Sequence, residues 1–227
     1  MSFEFDNNRV YLCGKVVSNP EFSHEVYGEG FYEINLEVNR LSEQYDIIPI
    51  TISERLMKGV NLGLGGTLAI VGQFRSYNKM VDNKSKLMLT VFVREVVEPV
   101  EGQNCNIIEL EGYLCKTPVY RMTPFKREIC DMLLAVNRAY NKSDYLPCIA
   151  WGRNARFVSD LGVGEKIYLT GRIQSRQYQK RIDEENSETR TAYEVSVNKL
   201  STTNNLVYQL KESAEQFAKP AAACEQK

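Results

Sequence analysis

"VYLCGKVVSNP" (10–20) returns 98 residues later as "IELEGYLCKTP" (108–118), with Gly14 answered by Gly112 and Pro20 by Pro118. The same offset joins "INLEVNR" (34–40) to "MLLAVNR" (132–138) and "DIIPI" (46–50) to "DYLPC" (144–148). After one inserted residue, "LGLGGTLAIVG" (62–72) meets "LGVGEKIYLTG" (161–171), and "LMLTVFV" (87–93) faces "TAYEVSV" (191–197). Matches that keep their order across both halves of a 227-residue chain mark a tandem repeat. The chain therefore divides into residues 1–103, residues 104–203 and a tail, 204–227.

Each copy reads as strand, strand, strand, short helix, strand, strand. In the second copy the strands are expected near 106–115, 128–138, 144–151, 165–178 and 190–199. The helix is "GRNARFVSDLG", closed by Gly162 and Gly164. That order fits an all-β chain of two tandem five-stranded OB-fold barrels, with the helix between the third and fourth strands. An SH3-like barrel is the alternative, but it places its helix elsewhere. Gly14, Gly72, Gly112 and Gly171 interrupt strands, where glycine marks a bend or bulge. In the tail, Leu206, Leu210, Ala214 and Phe217 follow helical spacing up to Pro220, so a short C-terminal helix or a loose tail is expected.

Composition narrows the function. No apolar run reaches the roughly 18 residues of a membrane helix, and "MSFEFDNNR" shows no secretory pattern. A cytoplasmic protein is expected. Its six cysteines include no C-x-x-C pair and read as reduced, mostly buried thiols. The only histidine, His24, is expected in a loop, which leaves little material for zinc or triad chemistry. "DEEN" (183–186) reads as a solvated charge run rather than a metal site, and no phosphate-binding glycine loop is present. No catalysis, metal or cofactor is expected.

Aromatic and basic residues remain. In "DYLPCIAW" (144–151), Leu146, Cys148 and Ala150 form a core stripe, yet the opposite face carries Tyr145, Pro147, Ile149 and the only tryptophan, Trp151. Tyr140 stands in the preceding loop. Tyr178 ends the fourth strand beside Arg172, Arg176, Lys180 and Arg181. Rings interleaved with cations suit unpaired bases, because every base offers a π-face and every phosphate a charge. The face opposite the core stripe thus reads as a ligand face.

The second copy resembles the bacterial and phage single-stranded DNA-binding proteins. The likeness rests on "LEGYLCKTP", "LLAVNRAY", "DYLPCIAWGRNARFV", "GEKIYLTGRIQSRQY" and "YEVSVNKL". It implies base stacking on Tyr140, Tyr145, Trp151 and Tyr178, and backbone contacts from Arg172, Arg176 and Lys180, with Arg138 and Arg153 in the same segments. It also implies a non-catalytic role on single-stranded DNA in replication, recombination and repair. Two barrels per chain imply a homodimer of four barrels, with other replication or repair proteins as further partners. The acidic docking tip common in the family has no counterpart in "KPAAACEQK".

The first copy departs from the pattern. Ser42, Ile47 and Ser53 stand where the second copy has Tyr140, Tyr145 and Trp151, and only Tyr77 answers Tyr178. Residues 1–103 hold 10 Lys and Arg against 14 Asp and Glu, whereas residues 104–200 hold 15 against 12. An acidic, mainly structural first barrel beside a basic, DNA-binding second one is therefore expected. The competing reading is a primosome-type accessory barrel that works mainly through protein contacts.

Overall fold

The computed structural model describes residues 6–40, 42, 44–81, 84–100, 105–181 and 187–202. In the first copy they form β1 (Asn8–Val16), β2 (Glu21–Val26), β3 (Glu29–Asn39), β4 (Tyr45–Ser53), α1 (Glu54–Met57), β5 (Thr67–Val81) and β6 (Lys84–Val97). The second copy repeats the order: β7 (Asn106–Leu114), β8 (Val119–Met122), β9 (Glu128–Arg138), β10 (Lys142–Trp151), α2 (Arg153–Ser159), β11 (Lys166–Arg181) and β12 (Ser187–Ser201). The expected C-terminal helix and the acidic run 183–186 lie outside the described residues.

Alternation in the sequence becomes alternation of faces. Val10 and Leu12 on β1, Ile34, Leu36 and Val38 on β3, and Ile48, Ile50 and Ile52 on β4 are all buried. The first barrel closes through the pairings β1–β3, β3–β4, β4–β6, β6–β5 and β5–β1, all antiparallel except β4–β6. The second closes identically, with β10–β12 as its parallel pair. This circuit is the five-stranded OB barrel, and the helix falls between its third and fourth strands as expected.

Two features correct the expectation. Each copy carries an additional short strand, β2 or β8, hairpinned onto the next. These strands are exposed along their whole length, so no burial period reveals them. His24 lies on β2 rather than in a loop.

The in-strand glycines are sites of close approach. A Cβ on Gly171 would lie 2.3 Å from the Ser196 carbonyl oxygen, and one on Gly72 would lie 2.4 Å from that of Phe92. Both sit where the ladder to the following strand shifts register.

The barrels are not beads on a string. β1 pairs antiparallel with β7, and Val10 lies opposite Ile108, its own repeat equivalent. A pseudo-twofold axis therefore passes between them, and one 12-stranded sheet runs through both copies. Two buried carboxylates clamp this junction. Asp46 of β4 accepts hydrogen bonds from the Ser175 backbone N–H (2.7 Å) across the seam and from the Arg40 guanidinium (2.7 and 2.8 Å). Its counterpart Asp144 accepts from the Ser76 N–H at 2.8 Å, with Arg138 3.5 Å away. Burial alone would raise the Asp46 pKa, but Arg40 and the Ser175 donors hold it below the ordinary aspartate value.

Candidate nucleic-acid interface

The rings singled out in the second copy lie on the surface. On β10, Leu146, Cys148 and Ala150 fill the core, while Tyr145 and Trp151, both on the opposite face, are 47% and 37% exposed. Between them Ile149 is buried, so the aromatic face is two separate rings, not a continuous stripe. The Trp151 indole N–H donates to Ser196 Oγ at 3.2 Å, which fixes the ring against β12.

Tyr140 occupies the tight turn from β9 to β10, where it and Asn141 adopt φ of 62° and 54°. Such left-handed geometry suits Asn-Gly pairs and is unfavourable for a tyrosine. The ring it presents is 94% exposed. A strained, bulky, unburied residue has no packing reason to be there, and an outlier of that kind points to function.

β11 and β12 extend together beyond the closed barrel as a two-stranded arm, paired as far as Arg181 and Ser187. The arm carries Arg176, whose guanidinium carbon lies 5.9 Å from the Tyr178 ring centre, and Lys180 lies on the same strand. Tyr178 is exposed. Arg153 opens α2 and is exposed, with no ion pair among the described residues.

Two expected cations are engaged elsewhere. Arg172 donates to Asp46 at 3.3 Å and to Gln174 at 3.0 Å. Burial and the neighbouring Arg40 lower its pKa, against the pull of Asp46. Arg138 likewise faces Asp144. Both stand at the seam between barrels, whereas Arg176 and Arg153 are open to solvent.

Sequence reading passed over Tyr120, Met122 and Phe125, which are exposed on β8 and its turn. Their segment, "VYRMTPFKR" (119–127), interleaves rings and cations just as the quoted strands do, so the signal was present.

The first copy also departs from expectation. Its β4 face was expected to lack rings, yet Tyr45 stands exposed at the start of the strand on that face, while Thr51 and Ser53 there are buried. A further ring comes from the neighbouring strand. Phe92 of β6 stands opposite Thr51, with the Arg75 guanidinium 3.8 Å above it. Phe92 packs on Phe31, which stacks on His24. Tyr77 donates its hydroxyl to Glu33 at 3.0 Å, and burial together with that carboxylate pushes the phenol up to about 12.

Among the described residues no group of three His, Cys, Asp or Glu side chains is placed to hold a metal ion. No helix among them is long and apolar enough to cross a membrane.

Comparison with known proteins supports this geometry. Residues 105–203 match the single-strand binding protein family. Over 81 residues the chain is 35% identical to single-stranded DNA-binding protein 1 of Staphylococcus aureus, an alignment covering 33% of this chain and 48% of that protein. It is 22% identical over 216 residues to the single-stranded DNA-binding protein of Thermus aquaticus, covering 81% of each. The crystal structure of that Thermus protein superposes with a TM-score of 0.66 over 86% of this chain and 91% of its own, at 21% identity, and shares the fold. The chain spans about half the length of the S. aureus protein. The match to the single-strand binding protein family thus falls on the second barrel, residues 105–203, the copy that presents Tyr145 and Trp151.

Proposed function

We propose that the chain binds single-stranded DNA without catalysis, coating and protecting it during replication, recombination and repair. The observation that carries this is the set of open rings, Tyr140, Tyr145, Trp151 and Tyr178, on a barrel whose core is already complete. Bases stack on the rings, and Arg176, Lys180 and Arg153 neutralise phosphates. Arg138 and Arg172 act from the seam, as part of the same electropositive surface. Contacts of this type discriminate little between bases, because stacking and charge are common to all of them.

The second barrel carries most of the affinity, and the first builds the assembly while adding Tyr77 at its edge. The pseudo-twofold pair of barrels is half of a four-barrel homodimer, acting in the cytoplasm. Titration of the full chain with unlabelled poly-dT, followed through the fluorescence of Trp151, tests the reading. A saturable change that weakens with added salt is expected. An unchanged signal, with no DNA retained, would refute it.

A further inference from the structure

A pocket of about 450 Å³ opens on the first barrel, and its walls come from five strands of that barrel and β9 of the other. This volume suits a single nucleotide unit. Cations line it: Arg75, Lys79 and, from the second barrel, Arg138. Arg75 lies over Phe92, donates to Gln73, and keeps its Nε buried without a partner. Burial lowers its pKa to about 10, and the nearby charges of Arg138 and Arg94 add to the shift. Positive charge held close to positive charge in a concave site favours an anion such as phosphate.

The same pocket contains one carboxylate, Glu33 on β3. Its Oε1 accepts from Tyr77 Oη at 3.0 Å and from Ser23 Oγ at 2.9 Å. Among the described residues its Oε2 takes no hydrogen bond, and the group forms no ion pair despite the cations around it. A carboxylate oxygen accepts only, so it rewards a base edge that donates. Guanine offers two adjacent donors, the ring N1–H and the exocyclic amine. Thymine offers one N–H flanked by two carbonyl oxygens, which the carboxylate repels. The half-exposed Tyr77 ring beside Glu33 supplies a stacking surface.

We infer that this pocket is a nucleotide subsite selective for guanine, with Glu33 reading the donor edge, Tyr77 stacking the base and Arg75, Lys79 and Arg138 holding phosphate. The inference rests on the single-stranded DNA reading and deepens it: the second barrel binds any base, and the first adds a preference. Its recognition chemistry is that of a carboxylate accepting from base amines.

The test uses the full chain and two 16-residue oligonucleotides, dT16 and an alternating dT–dG strand, in lithium buffer that prevents guanine quartets. The alternating strand should bind on the order of tenfold tighter, because guanine donors meet the open Oε2 while thymine carbonyls are repelled by it. Glu33→Gln keeps an acceptor for Tyr77 and Ser23 but replaces the second oxygen with a donor. It should bring the two affinities to within about twofold of each other. Equal wild-type affinities for the two strands would overturn the inference while leaving DNA binding intact, as would a preference that survives Glu33→Gln. Binding to neither strand would overturn both readings together.

Discussion

At the scale of single residues, the open rings and the strained turn make separable claims. Trp151→Ala and Tyr145→Ala should each weaken single-stranded DNA binding by about 1–3 kcal/mol, the range of a base–aromatic contact. Both side chains lie opposite the core stripe, so melting temperatures should move little. A folded Trp151→Ala protein with unchanged affinity would remove that ring from the interface. Tyr140 gives a sharper test, because its φ of 62° is one that glycine adopts freely. Tyr140→Gly should raise stability by about 1 kcal/mol while lowering DNA affinity. A gain in one quantity against a loss in the other is the signature of strain kept for function. Among the cations, Arg176 is largely exposed with its carboxylate partner Glu194 at 4.0 Å, whereas Arg172 is held against the buried Asp46 at 3.3 Å. Arg176→Ala should therefore flatten the dependence of log affinity on log salt by about 0.7, one phosphate contact on a single strand.

At the scale of elements, the strands that close the barrel and the strands that extend it follow different rules. β4 and β10 have the same alternating core stripe and pair in the same register with their neighbours, so both barrels close. β2 and β8 have no buried residue, and their place in the sheet comes only from hairpin pairing. Closure depends on glycines that let one strand's carbonyl press against another's backbone. Gly171→Ala would drive a methyl group to 2.3 Å from the Ser196 carbonyl oxygen, at the register shift between β11 and β12. Neither partner is a flexible side chain, so the strain should exceed the roughly 1–3 kcal/mol of ordinary overpacking. Chemical denaturation would show it as a lower midpoint with little change of slope. Wild-type stability in Gly171→Ala would mean that the arm can slide to a new register.

At the scale of the whole molecule, the seam between barrels matters most. Asp46 is wholly buried and receives donors from both barrels, so its loss removes the ion pair of Arg40 and the side-chain acceptor of the Ser175 N–H. Asp46→Ala should cost about 3 kcal/mol, since breaking a buried pair is far worse than never building it. The Asp46 pKa is depressed in the folded chain. Its contribution is therefore present above the unfolded aspartate value, about 3.9, and is lost as the pH falls through the lower folded value. Acid should loosen the seam only below about pH 4 in the native protein, and Asp46→Asn should lack that part of the acid transition. Sedimentation should give the mass of two chains. A monomer at micromolar concentration would contradict the four-barrel assembly.

Sequence alone determined the repeat, the barrel order and the exposure of Tyr140, Tyr145, Trp151 and Tyr178. Each of these is local: a period-two pattern assigns faces, and an offset of 98 assigns copies. Tyr145 and Trp151 could be placed on the surface because Leu146, Cys148 and Ala150 already accounted for the core. The partners of the arginines were not local. Arg172 and Arg176 look alike in "GRIQSRQY", yet one is held against a buried carboxylate 126 residues away and the other stays largely exposed, 4.0 Å from Glu194 on the adjacent strand. Phe92 likewise reads as one more apolar residue in "LMLTVFV", and only the parallel pairing of β4 with β6 sets it opposite Thr51. Tertiary structure decided these matters because a barrel closes by long-range pairing, and that pairing sets which charge meets which across the seam.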